Sequence, residues 1–589
     1  MNQKSNAAKQ SASSSELFAK AVQQYQSGQL RLAEQNFLAV LAAEPGSADA
    51  EHGLALVLVA QGKAIEGLGH FQRALALRPN FTEAFNSLAQ TLFALAERGH
   101  AAEIIKRNPI IGRLAKQAKK AWPGRLPAAE LFAADGIPKI AKDSFLLFFL
   151  GSSRLRDAEI EQFLTGIRGA ILERAVNQEN EVPSPSMLAF YCALARQCFI
   201  NEYVFSQTAP ENKLAASLRE RVASALAAGT AVPVHLLAVL ATYFPLNALP
   251  AAETLLQKPW PPTFQALLIQ QVQEPLQERQ LRERLPRLTE IDDAVSLKVQ
   301  SQYEENPYPR WVITSSPSKK TKIEDYLRMK LPHAAFKPFG KTNALDLLIA
   351  GCGTGQLVVG MAQIFQGVRV LAVDLSLASL GYAKRMGDML GLGNIEFAQA
   401  DILKLPTIGR KFDAISTTGV MHHMADPLAA WRGLVSILRP GGFMHIGLYS
   451  EIARQEVSEA WKFIAERGYG KSADEIRRCR EDIFALPDDA PIRQATLSPD
   501  FYSLSDCRDL LFHEHELRLT LPQIKRFLAE NHLEFIGWDI EESFLKKYGE
   551  EFHNDKAMSN LDHWQVFEEK YPFVFSAMYN FWVQKGSSS

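Results

Sequence analysis

A five-residue glycine turn sets the narrowest limit on what this chain can fold into. The apolar run from Ala344 to Ala350 ends in Gly351-Cys352-Gly353-Thr354-Gly355, and QLVVGMAQIF follows. That order is a strand, a turn and a helix. Glycines are needed where backbone must approach a ligand more closely than a Cβ permits, with the N–H groups of the helix start facing it. A nicotinamide or flavin domain would carry GxGxxG, but Gln356 stands one place beyond Gly355, so the spacing here is GxGxG.

A second strand, VRVLAVD, ends at Asp374, 19 residues past Gly355. That matches the offset, about 20 residues, of an acid that accepts both hydroxyls of a ribose. IEFAQAD then ends at Asp401, followed by Ile402. FDAISTTGVMHHMADP carries Asp413 near its start, and RPGGFMHIGLYS supplies a fifth element. Over residues 320–455 this succession resembles the class I S-adenosylmethionine-dependent methyltransferases. The resemblance implies a doubly wound, Rossmann-like sheet with S-adenosylmethionine as cofactor. Carried onto this chain, Gly351, Gly353 and Gly355, with Cys352 and Thr354 between them, border the methionine moiety. Asp374 and Leu375 take the ribose side, Asp401 and Ile402 the adenine, and Thr418 and Gly419 lie beside the sulfonium. The family usually has an acid two places before the first glycine; this chain has Ile349 there, with Asp346 three residues further back.

Methyl transfer is an in-line displacement in which alignment supplies much of the rate, so a dedicated base is optional. His422 and His423 follow the fourth strand, and in the related LHH-type segments a histidine sits near the transferred methyl. His423 is the candidate base or substrate contact. Before the domain stands QYEENPYPRW, whose prolines fix an extended path. Tyr303, Tyr308 and Arg310 in it are candidate pocket residues, the tyrosines candidates for the catalytic set. Its likeness to the NPPY motif of amino-group methyltransferases misleads, because that motif follows the fourth strand and this one precedes the first.

The first hundred residues repeat on themselves at 34 positions: Gly28 with Gly62, Phe37 with Phe71, Pro45 with Pro79. Glycine ends one helix, an aromatic packs the next and proline stops it. QYQSGQLRLAEQNFLAVLAAEPGS and LVAQGKAIEGLGHFQRALALRPNF resemble tetratricopeptide repeats, with Ala33 and Gly67 at the small position after the turn. The resemblance implies an α-solenoid whose concave face binds a peptide or protein. Self-association, giving a homo-oligomer, or bracing of the next domain are the alternatives. Residues 126–300 show helical periodicity broken by prolines, where Cys198, Glu202 and Tyr203 read as packing.

The expected architecture is multi-domain: a disordered tail over 1–15, the repeats over 16–125, a helical middle over 126–300, the methyltransferase domain with its lid over 301–455, and an α-rich extension over 456–589 that covers the pocket. Lys and Arg number 64 against 65 Asp and Glu. With no net field, nucleic-acid binding is not expected. Apolar windows such as Phe145–Leu150 are too short for a membrane span, and no signal segment opens the chain, so a cytoplasmic protein is expected. Five scattered cysteines form no CxxC. His513-Glu514-His515 suggests a metal, but histidines two apart diverge on a helix and no third ligand is evident, so none is expected. Tyr502, Arg508 and His513 are candidate substrate contacts. A repeat module beside a methyltransferase points to a protein or peptide side chain as acceptor. A small metabolite, with the repeats serving assembly, and a scaffold that binds no cofactor are the competing readings.

Overall fold

The computed structural model describes residues 2–305, 307, 310–312, 320–339, 344–513 and 516–586. Seven strands form one sheet: β1 (Leu345–Ala350), β2 (Val368–Asp374), β3 (Ile395–Gln399), β4 (Phe412–Thr418), β5 (Leu438–Leu448), β6 (Leu533–Trp538) and β7 (Tyr579–Lys585), in the order 3-2-1-4-5-7-6. β1 pairs in parallel with both β2 and β4, so strand order reverses there and a crevice opens at the carboxyl ends. The parallel strands are covered on both faces, which is why they read as continuous apolar runs. Leu348, Leu371 and Ile415 enter one core; Leu347, Ile349 and Val370 enter the other.

Two boundaries differ from those expected. The segment 456–589 is not one helical cover. Its later part supplies β6 and β7, and β7 runs antiparallel to both β5 and β6, making the sheet mixed. Its earlier part packs elsewhere: Ile476, Cys479, Ile483, Phe501 and Leu511 share a core with Phe149 and Phe163 of the middle region. The boundary at 300 is also displaced. The helix Glu274–Arg282 already belongs to the sheet domain, where Glu278 accepts from Arg385 Nε at 2.8 Å, and Gln399 of β3 exchanges backbone bonds with Pro286 and Leu288.

At the amino end the polar opening expected as a tail falls within the helix Asn2–Gln26, a stretch without glycine or proline to interrupt it. Helix pairs follow across turns at Gly28 and Gly62, both with positive φ. Phe37 and Phe71 are fully buried between them. Among the described residues no helix is long and apolar enough to cross a membrane.

His445 of β5 is buried against Trp582, ring centroids 4.6 Å apart, and burial lowers its pKa from 6.5 to about 4. The unfolded chain therefore takes up this proton between pH 6.5 and 4 while the folded chain does not, so stability falls as pH falls through that window. The contribution is at most about 3–4 kcal/mol. Comparing denaturation of the native chain and His445→Gln across this range should show that the variant lacks this part of the slope. Parallel pH dependences would contradict it.

Candidate active site

The turn after β1 has the geometry its glycines suggest. Gly351 lies at φ +77°, and a Cβ there would overlap the side chain of Val420 in the loop after β4. Gly355 lies at φ +84° and begins the helix Gln356–Ile364; a Cβ on it would stand 2.7 Å from that of Ala383. Thr354 is buried, and its carbonyl accepts from Trp311 Nε1 at 3.0 Å, so Trp311 braces the turn; the first half of the segment expected to be extended is instead helical, through Glu305. Gly351, Cys352 and Gly353 front a cavity of about 1000 Å³. Thr354 and Gly355 do not, so their part is to shape the turn. Burial raises the Cys352 thiol well above its usual range, which leaves it uncharged rather than nucleophilic.

Asp374 and Leu375 also line the cavity. The Asp374 carboxylate accepts from the N–H of Gly353 at 2.8 Å and of Ser376 at 2.9 Å, tying the first and second strand ends together. Burial raises its pKa, and those backbone N–H groups oppose the rise. Asp401 is buried between Ala400 and Ile402, which front the cavity. Its Oδ1 accepts from Leu403 N–H at 2.9 Å, while Oδ2 is buried without a hydrogen-bond partner. Such an acceptor suits a donor such as an exocyclic amino group, since an unmade buried hydrogen bond costs about 1–3 kcal/mol. Thr418 and Gly419 complete the wall after β4. The glycine turn, Asp374, Ala400 and Ile402 follow one another around the crevice and fit S-adenosylmethionine, with Asp401 just behind that wall. Asp346 lies at the far end of β1, where Arg369 and Arg439 donate to it, and Ile349 is core. The acids that line the cavity, among the described residues, are Asp374, Asp500, Asp509 and Asp539.

Across the crevice the sheet meets the segment that packs on the middle region. Tyr303, on the helix Ala294–Glu305, donates from its hydroxyl to Asp509 Oδ1 at 2.7 Å, and both residues line the cavity. His423 lines it too, with Nε2 3.9 Å from the same oxygen. Its ring stacks on that of His513 at 3.6 Å, and His513 Nε2 lies 3.7 Å from Asp509 Oδ1. Local sequence offered no third group near His513, but the fold brings His423 and Asp509 to it; His515 lies outside the described residues. Tyr449 forms a further wall, stacked on His422 at 3.8 Å and covered by the Arg454 guanidinium, which pairs with Glu516 at 2.6 Å. Burial raises the pKa of Asp500.

Of the other sequence candidates, Tyr308 lies outside the described residues. Arg310 is not a pocket residue; it packs over Phe199 and Tyr382, joining the middle region to the sheet domain. Tyr502 donates to the Thr496 carbonyl, and Arg508 donates to Glu305 and the Lys471 carbonyl, so neither lines the cavity. Asp509, Asp500, Tyr449 and Arg454 escaped sequence reasoning. Asp509 carries no motif, and its partner Tyr303 is 206 positions away.

Residues 347–442 match a family model described as a methyltransferase domain. An uncharacterised protein of Synechococcus sp. is 27% identical over 270 residues, covering 44% of this chain and 63% of that one. A protein of Parvibaculum lavamentivorans named ubiquinone biosynthesis O-methyltransferase is 35% identical over 112 residues, 19% of this chain and 42% of its own length. The chain thus spans less than two thirds of either relative. Among solved structures, PKMT2 from Rickettsia typhi in complex with AdoHcy superposes with a TM-score of 0.35 at 18% identity, over 46% of this chain and 54% of that one, a likeness too distant to bear on function.

Proposed function

We propose that this chain is an S-adenosylmethionine-dependent methyltransferase whose acceptor is a protein or peptide side chain. The observation that carries it is one continuous cavity of about 1000 Å³ holding both halves of such a reaction: Asp374, Ile402 and the glycine turn on one side, and Tyr303, His423 and Asp509 on the other. When bound, the cofactor supplies an electrophilic methyl group. The glycine turn, Asp374 and Asp401 hold and orient it; Tyr303 and His423 position the acceptor, so that alignment rather than a strong base carries the rate. The buried walls, Tyr449 among them, exclude water.

The helix pairs at the amino end support a polypeptide acceptor. They leave Leu32, Leu38, Leu77 and Phe85 exposed, apolar surface of the kind that repeat modules use for binding. The 35% identity of the cofactor-side segment to a ubiquinone biosynthesis O-methyltransferase favours a second reading, a small-molecule acceptor with the repeats serving assembly.

Calorimetric titration with S-adenosylhomocysteine should give micromolar binding, and its absence removes the enzyme assignment. Labelled S-adenosylmethionine offered separately to the dialysed macromolecules and to the small-molecule filtrate of a cell extract then separates the acceptors. Label in the macromolecular fraction alone is expected, and label confined to the filtrate overturns the polypeptide reading.

A further inference from the structure

On the acceptor side of the cavity three side chains that can ligate a metal meet, one of them the acceptor-positioning His423. His423, Asp509 and His513 each offer one ligating atom, and these atoms all lie within 4.8 Å of one another. We infer that they form a binding site for a divalent transition-metal ion.

The distances carry the first step. His423 Nε2 and His513 Nε2 lie 3.9 and 3.7 Å from Asp509 Oδ1, too far for hydrogen bonds to it. Ligand atoms about 2.0–2.2 Å from a tetrahedral zinc stand roughly 3.3–3.6 Å from one another, so each imidazole would close on Asp509 by a few tenths of an ångström, while the two imidazoles, whose ligating atoms lie within 4.8 Å of each other, adjust by side-chain rotation. The two imidazole rings now stack at 3.6 Å with planes 21° apart, so one ring must turn about its side-chain bonds for both in-plane nitrogen lone pairs to meet at one ion.

Support around the set is the second step. The Tyr303 hydroxyl donates to Asp509 Oδ1 at 2.7 Å, an outer hydrogen bond that fixes the orientation of a ligating carboxylate. All three side chains are at most 6% exposed, and they come from two packed segments: the short helix Met421–His423 after β4, and the helix Leu504–Phe512 with the residue after it. His423 and Asp509 front the cavity, so a bound ion would present an open position to it, as three-ligand catalytic sites do. Two imidazoles and a carboxylate suit zinc, cobalt, manganese or ferrous iron rather than calcium or magnesium. An acceptor would then be held through an oxygen, nitrogen or sulfur atom that ligates the ion.

The site is tested without reference to activity. The chelator-treated full chain is titrated with Co²⁺ and followed by visible absorption, with Zn²⁺ as competitor. One equivalent of Co²⁺ displaced by Zn²⁺ is expected, with affinity falling by about tenfold or more in Asp509→Asn and His513→Ala. If His513→Ala does not fold by circular dichroism, His513→Gln takes its place and the same loss is expected. Lack of saturable Co²⁺ binding, or binding undiminished in both variants, overturns the proposal. S-adenosylhomocysteine binding is measured on the same samples: its loss with Co²⁺ binding intact would count against the methyltransferase reading and leave the metal site standing.

Discussion

Replacing Asp374 by alanine is expected to weaken S-adenosylhomocysteine binding by about 100-fold. The side chain ends β2 at the cavity wall, and its carboxylate is held by the N–H groups of Gly353 and Ser376. Hydrogen bonds to a charged acceptor contribute about 1.5–3 kcal/mol, and the upper end of that range corresponds to roughly two orders of magnitude in affinity. The substitution also frees the Gly353 N–H and loosens the glycine turn, so the effect should exceed that of Asp401→Ala, which on the proposed reading removes one acceptor from the adenine side and is expected to cost about tenfold. Asp346→Ala is the control. That acid ties β1 to Arg369 and Arg439 at the opposite strand end, so the variant should lose stability without losing affinity. Calorimetry on the three variants decides the matter: an Asp374→Ala affinity within threefold of the native value would remove Asp374 from the ribose site.

The parts of this site that could be read from the sequence are those written within one strand and the residues after it. The glycine turn, Asp374 and Asp401 each sit where a strand ends, and a short-range spacing finds them because β1, β2 and β3 lie side by side in parallel register. Asp509 could not be found this way. Its partnership with Tyr303 and His423 exists only because a helix, inserted between β5 and β6, packs against the middle region and returns over the crevice. The same insertion explains the missed strands. Leu533–Trp538 and Tyr579–Lys585 are short apolar segments among helices, and periodicity alone does not separate them from buried helix ends. The N-terminal pairing was legible because helix, turn and helix recur at a fixed interval, with Phe37 and Phe71 at equivalent buried places. The surroundings of His513 were hidden for a related reason: His423 and Asp509, which pack against it, are distant in sequence or lie on another element, and a local motif does not show that.

Arg480→Ala should be among the most destabilising single substitutions in the chain, and its cause lies in that same insertion. Arg480, on the helix Ala473–Ala485, is buried and forms a bidentate pair with Glu161 at 2.9 and 2.8 Å. It also donates to the carbonyls of Phe501 at 2.8 Å and Val204 at 3.0 Å, and its guanidinium covers the Phe501 ring at 4.6 Å. One side chain therefore joins the inserted segment to two separate stretches of the middle region. Removing it leaves the Glu161 carboxylate buried without its counter-ion, a change that costs about 3–5 kcal/mol. The first unfolding transition in urea should move down accordingly. Because breaking a buried pair is worse than replacing it, the double variant Arg480→Met with Glu161→Leu should recover much of the loss. Asp374 ends β2 of the sheet while Asp509 sits on the insertion, so if they serve the cofactor and the acceptor as proposed, a loosened insertion separates the two halves of the site: S-adenosylhomocysteine affinity should persist in Arg480→Ala while Co²⁺ affinity falls. A loss below about 1 kcal/mol would mean the pair is not what docks the insertion. Equal loss of both ligands would mean that the insertion supports the cofactor side as well, and that the crevice does not divide in the way the positions of Asp374 and Asp509 imply.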